Sequence, residues 1–291
     1  MEAISGILLI DKPLGFTSHD IVAKLRGILK ERKIGHAGTL DPMASGLLLC
    51  LIRRGTRASQ FAEKEEKSYV FSIRFGLETD SYDLAGEVIK EEKVSLSESE
   101  VKKTIEGFLG ESEQTPPIFS AIKVEGKPLY KYAREGRKVE IQPRRIFINK
   151  IDLLGKEDED YKVRVSCSKG SYIRSLAMDI GRSLGTVATV TKLRRESIGK
   201  FSVKDAIDIN EASKIGREAL LKRILPVDTL FSEYPEIILN TEETKRVKNG
   251  NEIKKELPEG QYRTYSDEKE FLAFSEFKDG SLKTIKSFYE V

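Results

Sequence analysis

A loop of twelve residues holding three glycines, Gly35 to Gly46, runs directly into six consecutive apolar residues, Leu47 to Ile52. An apolar run of that length behind a glycine-rich turn reads as a buried strand, and it is far too short to span a bilayer. The loop ahead of it is also constrained. Its glycines let the backbone turn tightly or meet a ligand closely. Pro42 fixes its own φ and biases Asp41 toward an extended conformation. One carboxylate is thus presented on a stiff loop just before a buried strand, which is a way to preorganise a catalytic group. Taken alone, an Asp-Pro turn is commonplace and fits a structural role as well.

Patterning extends the reading along the chain. Gly6 to Asp11 is a short apolar strand, and Thr17 or Ser18 caps a helix with Ile21, Leu25, Ile28 and Leu29 inward. Tyr69, Phe71, Ile73 and Phe75 alternate with more polar neighbours, as in a half-buried strand. Ser97 and Glu100 form a capping box before a helix using Val101, Ile105 and Phe108. Strands are expected around Ile146 to Leu154 and Tyr161 to Ser168, with a helix from Ser171 stopped at Gly185. Residues 187–193 read as a strand and 205–223 as a helix. Beyond Pro235 the chain changes to short strands with turns at Asn249-Gly250, Pro258-Glu259-Gly260 and Asp279-Gly280. The expected organisation is an α+β main body, residues 1–234, with a mostly antiparallel sheet, and a small β-rich module over 235–291.

Charge adds a partner class. The net charge is only +3. From Lys123 to Arg145, however, eight Lys/Arg face three Glu, a local excess of five positive charges. Such clustering on a nearly balanced protein suits a polyanion, and it suits a merely solvated face equally well. Cys50 and Cys167 lie in apolar runs, so buried thiols in a reducing cytosol are expected. The amino terminus has no basic segment leading into a long apolar run, so no signal peptide is expected. Neither zinc-ligand spacing nor a phosphate-binding glycine loop occurs, so an enzyme of this sequence is expected to work without metal or nucleotide cofactor.

The run Gly35-His36-Ala37-Gly38-Thr39-Leu40-Asp41-Pro42-Met43-Ala44-Ser45-Gly46 resembles the signature loop of the TruB family of tRNA pseudouridine-55 synthases. Other blocks follow in the family's order. They include Asp11-Lys12-Pro13-Leu14-Gly15-Phe16-Thr17-Ser18, Lys67-Ser68-Tyr69 and Thr79-Asp80-Ser81-Tyr82-Asp83. Thr115-Pro116-Pro117-Ile118-Phe119-Ser120, Gly126-Lys127-Pro128-Leu129-Tyr130-Lys131 and Gly170-Ser171-Tyr172-Ile173-Arg174 complete them, over about residues 5–200.

The resemblance implies the pseudouridine synthase fold, a mostly antiparallel mixed sheet flanked by helices, with a carboxy-terminal PUA-like RNA-binding module. It implies cofactor-free isomerisation of the T-loop uridine of tRNA, by a cytoplasmic monomer with no obligate protein partner. Asp41 is then the essential carboxylate, as nucleophile toward the sugar or as base toward its C2′ proton, with Arg174 beside it. Tyr69 stacks on the flipped uracil, Tyr172 and Leu193 line its pocket, and His36 helps hold the base out of the stem-loop. Lys12 and Pro13 brace the pocket floor. Residues 115–145 resemble an insertion that closes over the RNA arm, with Lys123, Lys131, Arg134 and Arg137 facing phosphates. Two other readings stay open. One is a guide-dependent isomerase of another RNA, and the other is an RNA-folding chaperone without catalysis.

Overall fold

The Ala44–Ile52 strand lies inside a ten-stranded sheet and is buried almost throughout. The computed structural model describes residues 5–289. One edge of the strand pairs antiparallel with Gly6–Lys12. The other pairs parallel with Ala188–Ile198, from Leu193 opposite Ala44 to Arg195 opposite Gly46, and then antiparallel with Ile34–Ala37. The sheet continues antiparallel through Lys67–Phe75, Asp160–Cys167, Arg144–Glu157 and Gly110–Gln114. A second parallel contact adds Ile207–Asp208 beside Gly6–Lys12. The architecture is α+β with a mixed, mostly antiparallel sheet, as expected.

Local chemistry explains the flanking helices. Thr17, not Ser18, caps Ser18–Leu29, sharing a capping box with Asp20. Each such cap contributes about 1 kcal/mol. The inward residues are Ile21, Val22, Leu25 and Leu29, while Ile28 is only partly buried. Ser97 and Glu100 form the expected box ahead of Glu98–Glu106. Helix Ile173–Ser183 begins two residues later than expected and has no side-chain cap. It ends in a Schellman turn, in which Gly185, at φ 74°, donates to the Arg182 carbonyl and Thr186 to that of Gly181. A left-handed residue there calls for glycine. Tyr69, Phe71, Ile73 and Phe75 are all buried in one cluster with Ile173, Leu176 and Ile180, so this helix packs on the inner sheet face. Cys50 and Cys167 are free and buried.

Two expectations need correction. Residues 205–223 are not one helix. A 3₁₀ turn and the Ile207–Asp208 strand precede Ile209–Leu221, which Gly216 interrupts at φ 76°, ψ 179°. The carboxy-terminal region is not purely strands and turns, because Thr241–Lys248 is a helix. Its start is marked by an Asn240–Glu243 capping box.

Five strands between Glu236 and Ser287 form a separate sheet. It has its own cluster around Leu239, Leu272 and Leu282. Its Phe274 and Phe288 nevertheless pack in the cluster that holds Ile7, Leu9, Leu49 and Phe231. Arg54 and Arg57 donate to the Phe288 and Ser287 carbonyls at 3.1 and 3.2 Å. Among the described residues, no helix is long and apolar enough to cross a membrane.

Candidate active site

Asp41 sits between the Ile34–Ala37 and Ala44–Ile52 strands, and the turn around it is tied down by backbone contacts. Ser18 Oγ accepts from the Leu40 N–H at 2.9 Å and donates to the Leu40 carbonyl at 3.1 Å. The Gly15 N–H donates to the Pro42 carbonyl at 2.8 Å, and Ala44 N–H to that of Asp41 at 3.0 Å. Lys12, fully buried, donates from Nζ to the Phe16 and Pro13 carbonyls at 2.7 and 3.0 Å. Its contacts thus fix the 13–16 turn that in turn holds Pro42. Burial pushes the Lys12 ammonium down to about 8, against the opposing pull of the Asp41 carboxylate. Gly46 is obligatory. At φ 103° it lies so near the next strand that a Cβ would meet the Arg195 carbonyl oxygen at 2.2 Å.

Arg174 comes from the other side of the molecule, on the first turn of Ile173–Ser183. Its Nη2 lies 2.9 Å from Asp41 Oδ2, and its Nη1 lies 3.3 Å from Asp83 Oδ2. The same nitrogens donate to the carbonyls of Phe119 and Ser81 at 2.9 and 2.8 Å. The Arg174 and Asp83 side chains are 5% and 6% exposed, while Asp41 remains 37% exposed. A buried guanidinium is expensive to desolvate unless its donors are satisfied, and here two carboxylates and two carbonyls do so. Asp83 is itself fixed, because its Oδ1 accepts from Ser81 Oγ at 2.7 Å and from the Ala85 N–H at 2.9 Å. The ion pair leaves the Asp41 carboxylate accessible and its partner locked.

His36, Asp41, Tyr69, Tyr172, Arg174 and Leu193 all line one cleft of about 640 Å³. That is within the usual range for a small-ligand site. Tyr69 and Leu193 are 8% and 7% exposed. Burial raises both the Tyr69 and Tyr172 phenols above their ordinary range. The Tyr172 backbone is clamped by Gln114, which accepts from its N–H at 2.7 Å and donates to its carbonyl at 3.1 Å. His36 is pushed below the usual imidazole range by burial and then by His19 and Arg195. It meets His19 edge-on, with ring centroids 5.8 Å apart.

The basic insertion is arranged differently. A Lys123–Val124/Lys127–Pro128 hairpin leads into helix Leu129–Arg134, which buries Leu129 and Tyr132. Lys123, Lys131, Arg134 and Arg137 are exposed. Of these four, Arg134 lines with Tyr130 a second cleft of about 500 Å³ on the other flank of Asp41, Asp83 and Arg174. Arg144 and Arg145, at the end of the insertion, line the Asp41 cleft itself. Arg134 lies over the Tyr130 ring and Arg137 over Tyr132.

Asp83, Gln114, Lys67 and Arg195 belong to the site's framework and were not singled out from sequence. Asp83 and Lys67 stand within blocks that carried the family resemblance, which was the available signal. Arg195, at 1% exposure, donates from Nε to the Leu47 carbonyl at 2.7 Å and from Nη2 to that of Gly38 at 2.9 Å. It lies opposite Tyr69 in the sheet register. Nothing in a bare Arg194-Arg195 pair announces that. Among the described residues, no three His, Cys, Asp or Glu side chains converge as metal ligands.

Solved structures share this arrangement of sheet, helix and cleft-bearing face only as a fold. A chain of an H/ACA ribonucleoprotein bound to a substrate RNA containing 2′-deoxyuridine superposes with a TM-score of 0.73 at 23% identity, covering 98% of this chain and 85% of that one. Residues 26–173 match the family described as TruB family pseudouridylate synthase (N terminal domain). Residues 174–232 match tRNA pseudouridylate synthase B C-terminal domain, and residues 235–284 match Pseudouridine synthase II TruB, C-terminal. The tRNA pseudouridine synthase B of Clostridium kluyveri is 39% identical, over 98% of this chain and 100% of that protein. Its namesake from Aquifex aeolicus is 41% identical, over 96% and 98%. The chain belongs to the TruB family.

Proposed function

We propose that the protein is a tRNA pseudouridine synthase that isomerises the T-loop uridine, position 55, with Asp41 as the reacting carboxylate. The observation that carries this reading is the 2.9 Å pair between Asp41 and Arg174 at the wall of a cleft shared with Tyr69, Tyr172 and Leu193. Uridine and pseudouridine are isomers, so the reaction needs a group to act on the ribose, a stable pocket for the free base and no net reagent. The target must first leave its stack, which costs a few kcal/mol.

Arg174 aims the Asp41 carboxylate, because its fork is fixed on the far side by Asp83 and two carbonyls. The ionised carboxylate serves either as nucleophile toward C1′ or as base toward the C2′ proton. Tyr69 offers its ring to the extruded uracil, with Tyr172 and Leu193 enclosing it. His36, held neutral by its surroundings, is suited to contacting RNA and keeping the base out of the loop. The exposed Lys123, Lys131, Arg134 and Arg137 supply phosphate contacts on the T-arm, and the module over 235–291 adds RNA contact as a PUA-like unit. The enzyme acts as a cytoplasmic monomer without a cofactor or an obligate partner.

The test is incubation with an unmodified T-arm stem-loop, mapping pseudouridine by chemical labelling. Conversion at the T-loop uridine without added cofactor is expected. Asp41→Asn should bind the stem-loop as the parent does and lose turnover by more than about 10³-fold, beyond what a slightly misplaced positioning group would cost. Substantial product from Asp41→Asn would remove the carboxylate from the chemistry.

A further inference from the structure

Three buried cations surround the Asp41 cleft, and among the described residues Lys12, Lys67 and Arg195 form no direct ion pair. Arg174 has two carboxylates, but these three are held by carbonyl oxygens. Burying a cation without a counter-charge is costly, so such groups are retained where the positive charge has work to do. Lys12 lies behind the loop. Lys67 does not, because it lines the cleft itself, as does Arg195.

Lys67 begins the Lys67–Phe75 strand, two residues before Tyr69, so both side chains stand on one face of the sheet. Its Nζ donates to the Glu65 and Glu63 carbonyls at 2.6 and 2.9 Å. An ammonium has three donors, so one N–H has no acceptor among the described residues. Gly38 shows how closely Lys67 approaches the reacting loop, since a Cβ there would lie 3.5 Å from Lys67 Cε and 3.4 Å from Arg195 Nη1. The groups acting on Lys67 are Arg195 across the sheet, the Cys167 thiol on the neighbouring strand, and Glu65 and Glu63 on its own segment.

We propose that Lys67 is a further catalytic residue, donating its third N–H to the uracil while the base is detached and carries negative charge. The inference rests on the function proposed above. When the N1–C1′ bond breaks, its electron pair stays on the base and spreads from N1 over O2 and O4. Asp41 balances the sugar, either by bonding to C1′ or by taking the C2′ proton. The base then turns and C5 bonds to C1′ as the Asp41 carboxylate leaves that carbon or, on the other route, returns the proton to C2′. The C5 proton is then lost and N1, freed from the sugar, gains a proton. Lys67 transfers no proton in this scheme. It stabilises charge that exists only between cleavage and rejoining, as donors preset toward a developing anion do. A purely structural Lys67 would instead cap the carbonyls that end the short helix Ser59–Ala62.

Leaving-group chemistry separates the two roles. Single-turnover rates of consumption of the starting nucleoside are measured on T-arm stem-loops carrying uridine or 5-fluorouridine at the target. The fluorinated base is the more stable anion and, with no C5 proton to lose, stops once C5 has bonded to C1′. Lys67→Met is expected to bind both as the parent does. It should lose about 10²-fold in rate on uridine and several-fold less on 5-fluorouridine. Equal losses on both, or a loss confined to binding, would overturn the assignment.

The parent protein gives a second reading that needs no variant to fold. Burial pushes the Lys67 ammonium down to about 8. Its rate on uridine should therefore fall as pH rises through 8 to 9.5, and a rate that stays flat or climbs overturns the proposal. If the parent protein converts no uridine at all, the failure belongs to the proposed function, since Lys67 is tested only against a working reaction.

Discussion

The Asp41–Arg174 pair and the 115–145 insertion are both charged and adjacent, yet they are built on opposite terms. Arg174 is 5% exposed and has every anchor inside the protein. The insertion's cations are exposed apart from the half-buried Lys127, and their protein contacts are rings and nearby carboxylates such as Glu135. Buried charges of the first kind are worth a great deal when one partner is removed. Exposed ones contribute little to stability and remain available to a phosphate backbone. The lesson is that rate should depend on the first region and salt-sensitive affinity on the second.

The hardest blow to that division is at Arg174. Arg174→Lys keeps the charge but loses the fork that spans two carboxylates, so a rate loss of about 10²-fold or more is expected with stem-loop affinity unchanged. Arg174→Met should also cost about 3–5 kcal/mol in denaturant melts, because the buried Asp83 loses its counter-ion. Near-normal rates for Arg174→Lys would break the comparison outright. At Tyr69, stacking is worth ~1–3 kcal/mol per base. Tyr69→Ala should weaken binding by that amount and Tyr69→Phe far less, and equal affinities would show that the ring does not carry the contact.

Combined Lys131→Ala, Arg134→Ala and Arg137→Ala should leave single-turnover rates at saturation intact. The slope of log affinity against log salt should flatten by roughly 0.7–0.9 for each phosphate no longer neutralised. An unchanged slope would exclude these side chains from the interface.

The smallest effect sharpens the buried side. Lys12 has a folded value near 8, below its ordinary 10.5, so the unfolded chain holds more protons between those limits. Its contribution to stability therefore rises with pH through that window. From pH 8 to 9 the parent should gain about 1 kcal/mol relative to Lys12→Met. A constant difference would mean that Lys12 is not held as a strained cation.

Much of this was legible in the sequence because it is local. The Asp41 loop, the alternation from Tyr69 to Phe75 and the Ser97 capping box are each written within a dozen residues. The organisation around Arg174 is not, since Ser81, Asp83 and Phe119 reach it from distant segments. Likewise Gln114 clamps Tyr172 across 58 positions, and Arg195 finds Gly38 across 157. No periodicity encodes such meetings, which follow from the strand order of the sheet. The helix over Thr241–Lys248 escaped for a different reason, because it buries only Val247 and so shows almost no apolar rhythm. Its capping box was there to be read.

The seam between the two sheets has a consequence for how the molecule can move. Phe274 and Phe288 lie in the same apolar cluster as Ile7 and Leu9, and Arg54 and Arg57 latch onto the final strand. The tail piece is therefore welded to the body instead of trailing on a tether. Under the proposed function, RNA held by that module would stand at a constant reach from the Asp41 cleft, as between the fixed jaws of a caliper, and an arm of the wrong length could not be accommodated by swinging one jaw.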